Sequence, residues 1–218
     1  MNLNTLTKKE ILKRLKWRCP HGHNGIEHVK CWDKAFGVTE RIGFYDIEAT
    51  NLKATFGYVL SYCILSEDGK MIARTISRDD ILNGKFDKNL MKQFSSDVMK
   101  FDRIIGYYSK RFDGPYLRTR CEKHGVRFPL FREVLHTDAY DTVRHKFQLH
   151  SNRLQVACDF FGIPSKGHPL NPEVWQNAQA GDVKALKFVL AHNKEDVVSL
   201  KALWEKISKY HQYMASTL

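Results

Sequence analysis

Residues 42–52 read Ile-Gly-Phe-Tyr-Asp-Ile-Glu-Ala-Thr-Asn-Leu, an apolar segment that carries two carboxylates, Asp46 and Glu48. Its run of apolar and aromatic residues predicts a buried strand. Strand side chains alternate between faces, so Asp46 and Glu48 project side by side. Two neighbouring anions in a partly buried setting repel each other and resist desolvation, and without a partner at least one is driven toward its neutral form. A divalent cation removes that conflict if other parts of the chain bring further ligands to the same place.

At 218 residues the chain can bury a sizeable core, and it fits one α/β domain with a short appendage better than two full domains. The formal net charge of +11 and the pI near 9.4 favour a polyanionic partner held through phosphate contacts. Cys19, Cys31, Cys63, Cys121 and Cys158 are odd in number and scattered, which argues against a disulfide framework and for a reducing compartment. No apolar run is long enough to span a bilayer, and Lys8, Lys9 and Glu10 break up any signal-peptide core, so a cytoplasmic protein without a membrane partner is expected.

Two regions are expected, 1–36 and 37–218. In the first, Thr7-Lys8-Lys9-Glu10 has capping-box spacing and Ile11, Leu12 and Leu15 follow at helical intervals, which predicts a short basic helix. Cys19, His21, His23, His28 and Cys31 then fall within thirteen residues. Four such ligands make a structural zinc site, with His28 and Cys31 on one side and Cys19 with either His21 or His23 on the other. The alternative is a loop whose histidines are exposed and whose cysteines are simply buried.

In the second region, 58–65 and 71–76 are β-prone runs separated by Ser66-Glu67-Asp68-Gly69, a hairpin signal, so three antiparallel strands open the sheet. Helical spacing over 86–101 leads into a short strand at 103–108, which makes a mixed sheet flanked by helices. Asp113 stands between that strand and a helix running to about Lys123, where an N-cap role competes with a place in a crevice at the strand ends. Residues 134–141 read as a further strand and turn, in which capping roles for Asp138 and Asp141 are favoured over site-wall roles. A helix is expected over 152–161, a breaker-rich loop over 162–172, and a long helix over 182–210. On that last helix His192 and Asp196 lie one turn apart beside the apolar stripe.

Asp46, Glu48, Asp113 and Asp196, with His192, are then four carboxylates and an imidazole from three separated elements. Hard oxygen ligands in that number suit Mg²⁺ or Mn²⁺, and two such ions can activate a water and stabilise the leaving oxygen of a phosphodiester displacement. Phe44-Tyr-Asp46-Ile-Glu48-Ala-Thr, Tyr108-Ser-Lys-Arg-Phe-Asp113 and His192-Asn-Lys-Glu-Asp196-Val, in this order, resemble the three motifs of the DEDD exonuclease superfamily, the DnaQ-like proofreading group with a ribonuclease H-like fold. The resemblance covers roughly residues 41–210. It implies an α/β ribonuclease H-like domain and 3′-to-5′ exonucleolysis with two metal ions, releasing nucleoside 5′-monophosphates. Its implied partners are single-stranded nucleic acid or 3′ ends, DNA ahead of RNA, and a replication or repair protein. On that pattern Asp46 bridges both metals, Glu48 and Asp196 hold the one that activates water, Asp113 supports the other, and His192 orients or deprotonates the nucleophile. The chain departs from the pattern in one respect: the family has Tyr four residues before the final Asp or His five before it, whereas here His stands at four. A structure-selective endonuclease of the same fold and a non-catalytic nucleic-acid-binding module are the competing readings.

Overall fold

The computed structural model describes residues 6–37, 39–164 and 171–211. The chain divides into two compact units, Met1–Arg41 and Ile42–Leu218.

In the first unit, helix α1 (Lys8–Lys16) begins with the expected capping box. The Glu10 amide donates to Thr7 Oγ1 at 3.3 Å, and the Thr7 amide donates back to Glu10 Oε2 at 2.8 Å. A tight turn through Pro20 and Gly22, the latter at φ 83°, leads to helix α2 (Val29–Phe36). This second helix is not among the elements expected from the sequence; it spans only eight residues and follows directly on the Cys/His-rich segment. Gly37 at φ 65° ends it, the left-handed conformation that glycine adopts without a Cβ penalty. Among the described residues of this unit only Arg14, Cys19, Gly25 and Trp32 are buried.

The second unit is built on a five-stranded sheet of order β3-β2-β1-β4-β5, with β1 (Ile42–Ala49), β2 (Val59–Ser66), β3 (Met71–Thr75), β4 (Arg103–Gly106) and β5 (Leu135–Asp138). The first three strands are antiparallel, while β1, β4 and β5 are parallel. This is the mixed sheet that the sequence predicts. The β2–β3 hairpin turns at Gly69, φ 87°. Helices α4 (Lys88–Val98), α5 (Asp113–Lys123), α7 (Leu154–Phe160) and α9 (Val183–Ile207) match the expected helical stretches, whereas α3 (Arg78–Leu82), α6 (Ala139–Lys146) and α8 (Pro172–Gln179) are additions to them. Of the loop expected over 162–172, residues 165–170 lie outside the described residues. No described helix is long and apolar enough to cross a membrane.

The sheet separates two apolar cores. Tyr45, Ile47, Leu60, Tyr62 and Ile64 pack with Leu90, Met91 and Phe94 of α4 and Leu117 of α5. Phe44, Cys63 and Leu65, from the alternate strand positions, pack with Val197, Leu200, Leu203 and Trp204 of α9. Helix α9 joins both cores, since Ala185, Leu186 and Val189 of its first half belong to the former. Each fully buried side chain of this size contributes about 1.5–3 kcal/mol, so the helix is pinned at both ends. His192, Asn193 and Asp196 occupy the changeover between the two cores.

Candidate metal centre

The ladder between β1 and β4 pairs only Ile42–Phe44 with Arg103–Ile105. Beyond Phe44, β1 keeps its β2 partner, with Asp46 opposite Cys63 and Glu48 opposite Ser61, and a register shift follows at Glu48/Ala49. Bulges of this kind re-aim side chains at the end of a pairing. The two acids therefore stand at the carboxyl end of a parallel strand, where ligands bind in open α/β sheets.

Helix α9 crosses this end of β1. His192 Nε2 lies 3.6 Å from Glu48 Oε1 and 3.6 Å from Asp196 Oδ2. Ligand atoms of Glu48, His192 and Asp196 all fall within 4.8 Å of one another. Asp46 accepts a hydrogen bond at Oδ2 from Asn193 Nδ2 at 2.8 Å. Asn193 is fully buried, and its Oδ1 has no hydrogen-bond partner among the described residues. The sequence reading missed it, although a fully polar residue set between Val189 and Val197 in an apolar stripe is a usable signal.

Asp113 is not an N-cap. The capping position of α5 is Phe112, which makes no side-chain cap bond. The Asp113 carboxylate instead accepts from the Ile47 amide at 3.1 Å. That amide belongs to the part of β1 that has outrun β4, so the carboxylate takes the place of a missing strand. It thereby comes to the same strand end as Asp46 and Glu48, but it is not one of the three groups that share the 4.8 Å cluster. Burial, reinforced by the negative charges of Asp138 and Asp196, pushes the Asp113 carboxyl up to about 7. Burial also raises the Cys63 thiol, and the charges of Asp46, Glu48 and Asp196 raise it further. The three acids thus act on one neighbouring atom, with the positive charge of Lys194 working against them.

The loop into Asp113 is held from β5. Asp138 caps α6, accepting from the Tyr140 amide at 3.1 Å, and it also accepts from the amides of Tyr108 at 2.8 Å and Lys110 at 3.0 Å. Those bonds stabilise Tyr108 at φ 60°, a left-handed conformation that is uncommon outside glycine. At the end of β4, Gly106 leaves room for the Ser109 side chain, which a Cβ there would overlap while coming within 2.8 Å of the Tyr45 ring. Ser109 Oγ and Tyr45 Oη both lie within hydrogen-bond reach of His136 Nε2, at 2.9 and 3.1 Å. Burial pushes His136 down to about 3, so this ring is a neutral strut beneath the loop. Asp141 pairs with Arg111 at 2.8 Å, a structural role.

In the first unit, the ligand atoms of Cys19, His21, His28 and Cys31 also lie within 4.8 Å of one another. Of the two pairings left open by spacing, the one through His21 is formed. His23 is outside the group, with its ring edge-on to His28 at 5.1 Å.

The donor sets differ in chemistry as well as place. Carboxylates with one imidazole suit a hard divalent cation, and the partnerless Asn193 Oδ1 beside Asp46 is a further oxygen that an ion and its hydration shell can satisfy. The residues present therefore fit Mg²⁺ or Mn²⁺. The family model described as RNase_H superfamily, RNase_H_2, matches residues 43–208. The chain belongs to the RNase_H superfamily. This membership agrees with the ribonuclease H-like resemblance carried by the three motifs. DNA polymerase 2 of Aeropyrum pernix is 26% identical in an alignment of 139 positions that covers 55% of this chain and 17% of that protein. The family B DNA polymerase from the hyperthermophilic archaeon Pyrobaculum calidifontis superposes with a TM-score of 0.63 at 21% identity, covering 78% of this chain and 25% of that one. This RNase_H-superfamily chain thus spans a quarter or less of either protein's length, and the structural likeness speaks to fold alone.

Proposed function

We propose that this chain is a metal-dependent 3′-to-5′ exonuclease that hydrolyses the terminal phosphodiester of a nucleic acid, DNA ahead of RNA, and releases nucleoside 5′-monophosphates. The observation that carries the reading is the convergence of Glu48 from β1 with His192 and Asp196 from α9, ligand atoms within 4.8 Å, at the strand end that also carries Asp46 and Asp113. Asp46, Glu48, Asp113 and Asp196 would hold two Mg²⁺ or Mn²⁺ ions. When bound, such ions supply a water nucleophile at neutral pH and stabilise charge on the scissile phosphate.

The protein's own groups do the rest. Asn193 fixes the Asp46 carboxylate by donating to Oδ2. His192 presents Nε2 3.6 Å from both the Glu48 and the Asp196 carboxylates, placed to take the proton of the attacking water at that atom. Tyr108, Tyr140 and Arg153 line an open cleft of about 420 Å³, beginning at the loop that ends in Asp113. The Arg111 guanidinium lies 5.6 Å from the Tyr108 ring centroid and 5.3 Å from that of Tyr140. Aromatic and cationic groups together suit the bases and phosphates of a single strand. The relatives' description as DNA polymerases favours DNA.

End-labelled DNA and RNA oligonucleotides, incubated with Mg²⁺ or Mn²⁺ and with chelator, test the reading. A 5′-labelled strand should shorten one nucleotide at a time from its 3′ end, only with metal. Asp46→Asn and Asp196→Asn should remain folded and bind the oligonucleotide without degrading it. Cleavage of circular single-stranded DNA would point to the endonuclease instead, and cleavage retained in either variant would overturn the site.

A further inference from the structure

We propose that Cys19, His21, His28 and Cys31 form a structural zinc site that organises the N-terminal unit. The sulfur–nitrogen separations match those of a zinc tetrahedron. With Zn–S of about 2.3 Å and Zn–N of about 2.0 Å, a regular tetrahedron separates sulfur from nitrogen by about 3.5 Å. The separations in the protein are 3.7 Å for Cys19 Sγ to His21 Nδ1, 3.3 Å for Cys19 Sγ to His28 Nδ1 and 3.6 Å for Cys31 Sγ to His21 Nδ1. Both histidines turn the same nitrogen, Nδ1, toward the sulfurs.

Local structure explains how the four arrive together. Cys19 and His21 sit on a tight turn closed by the Gly22 amide on the Cys19 carbonyl at 2.9 Å and by the Cys19 amide on the His23 carbonyl at 2.9 Å. His28 is the capping position of α2, and Cys31 lies in its first turn, with its amide on the His28 carbonyl at 3.1 Å. A turn and a helix start thus each contribute two ligands. His23 is not one of the four, although it is as close in sequence.

The unit also needs such a centre. Its buried residues among those described are Arg14, Cys19, Gly25 and Trp32, and the aromatic cluster of Trp17, Trp32 and Phe36 leaves Phe36 exposed. That is too little apolar burial to fix a fold, and in segments of this size metal binding supplies the folding free energy. Four protein ligands leave no coordination position open, so the ion is structural rather than catalytic. Two thiolates balance the charge of one Zn²⁺, and uptake releases the thiol protons. The proposal does not depend on the nuclease reading.

The full chain, purified without chelators or metal-affinity resin, should contain about one zinc per molecule by elemental analysis. Exchange with Co²⁺ should produce the visible bands of tetrahedral cobalt together with thiolate-to-metal charge transfer. Cys31→Ser should reduce zinc to near zero, whereas His23→Ala and Asp196→Asn should each retain it, separating this site from the carboxylate centre. If Cys31→Ser does not fold, the cobalt spectrum of the unaltered chain decides. Zinc near zero with no thiolate–cobalt band, or equal loss in His23→Ala and Cys31→Ser, would overturn the assignment and leave the four side chains as a hydrogen-bonded cluster.

Discussion

Replacing Arg120 by Met should destabilise the second unit by about 3–5 kcal/mol, the cost of stranding one member of a buried ion pair. Arg120 and Asp87 are both essentially inaccessible to solvent. The guanidinium is bidentate, with Nε on Asp87 Oδ2 at 2.8 Å and Nη2 on Oδ1 at 2.6 Å, and its Nη1 donates to the Ala54 carbonyl at 3.0 Å. In the variant Asp87 keeps only the Val59 amide at 2.9 Å and His124 at 2.7 Å. For a chain of this size each kcal/mol moves Tm by about 2–4 °C, so a drop of about 6–20 °C is expected. The pH dependence has a definite sign. Burial alone would raise the Asp87 pKa, but Arg120, the Val59 amide and His124 hold it below the ordinary value. In the unaltered protein this stability is fully present above the unfolded value of about 3.9 and is lost as pH falls through the lowered folded value. In Arg120→Met burial dominates, the folded value rises above the unfolded one, and stability is lost as pH increases through that raised value. The Tm difference between the two proteins should therefore widen between about pH 4 and pH 7, followed by circular dichroism in thermal melts. A difference under about 3 °C at pH 7, or one that narrows as pH rises, would refute the reasoning.

Asn193→Ala should lower nuclease kcat/KM by about 10–100-fold, the usual cost of removing a residue that orients a ligand; an unchanged value would show that the 2.8 Å bond to Asp46 has no such role. Because burial raises the Asp113 carboxyl to about 7, a cation must displace its proton below that pH. Mn²⁺ affinity measured by calorimetry should therefore fall about tenfold per pH unit below 7 and level off above it, and Asp113→Asn should abolish the slope. Tyr108→Ala, made in an Asp196→Asn background, should weaken single-stranded oligonucleotide binding in fluorescence anisotropy by about 1–3 kcal/mol, the loss of one stacked base; no change would exclude the tyrosine cleft from the binding path.

Local periodicity made much of this molecule legible. The alternation along β1 puts Asp46 and Glu48 on one face, and four-residue spacing puts His192 and Asp196 on one side of α9. Both placements follow from single elements, where the geometry is set by the backbone repeat. The hairpin at Gly69 and the capping box at Thr7 are equally local. Asp113 was harder to read, because its competing role as a cap is the commoner one and because the amide it binds belongs to a strand 66 residues earlier. Helix α2 is hard to read because it spans only eight residues, too few for a helical period to stand out.

The buried Asp87–Arg120 pair and the choice of His21 over His23 belong to the fold alone, whereas Asn193 left a signal as a polar residue in an apolar stripe. The sequence by itself determined which residues carry acid, imidazole and thiol, and in what order along the chain they occur. Only the tertiary structure decided which of them meet. The end of β1 outruns β4, which leaves the Ile47 amide for Asp113. Helix α9 changes cores where it crosses that end, and so aims His192, Asn193 and Asp196 at the strand acids. The turn after Cys19 brings His21, and not His23, to the two thiols. Each of these depends on where one element stops relative to a neighbour, a distance fixed by packing and hydrogen-bond satisfaction across the fold rather than by any repeat within a segment.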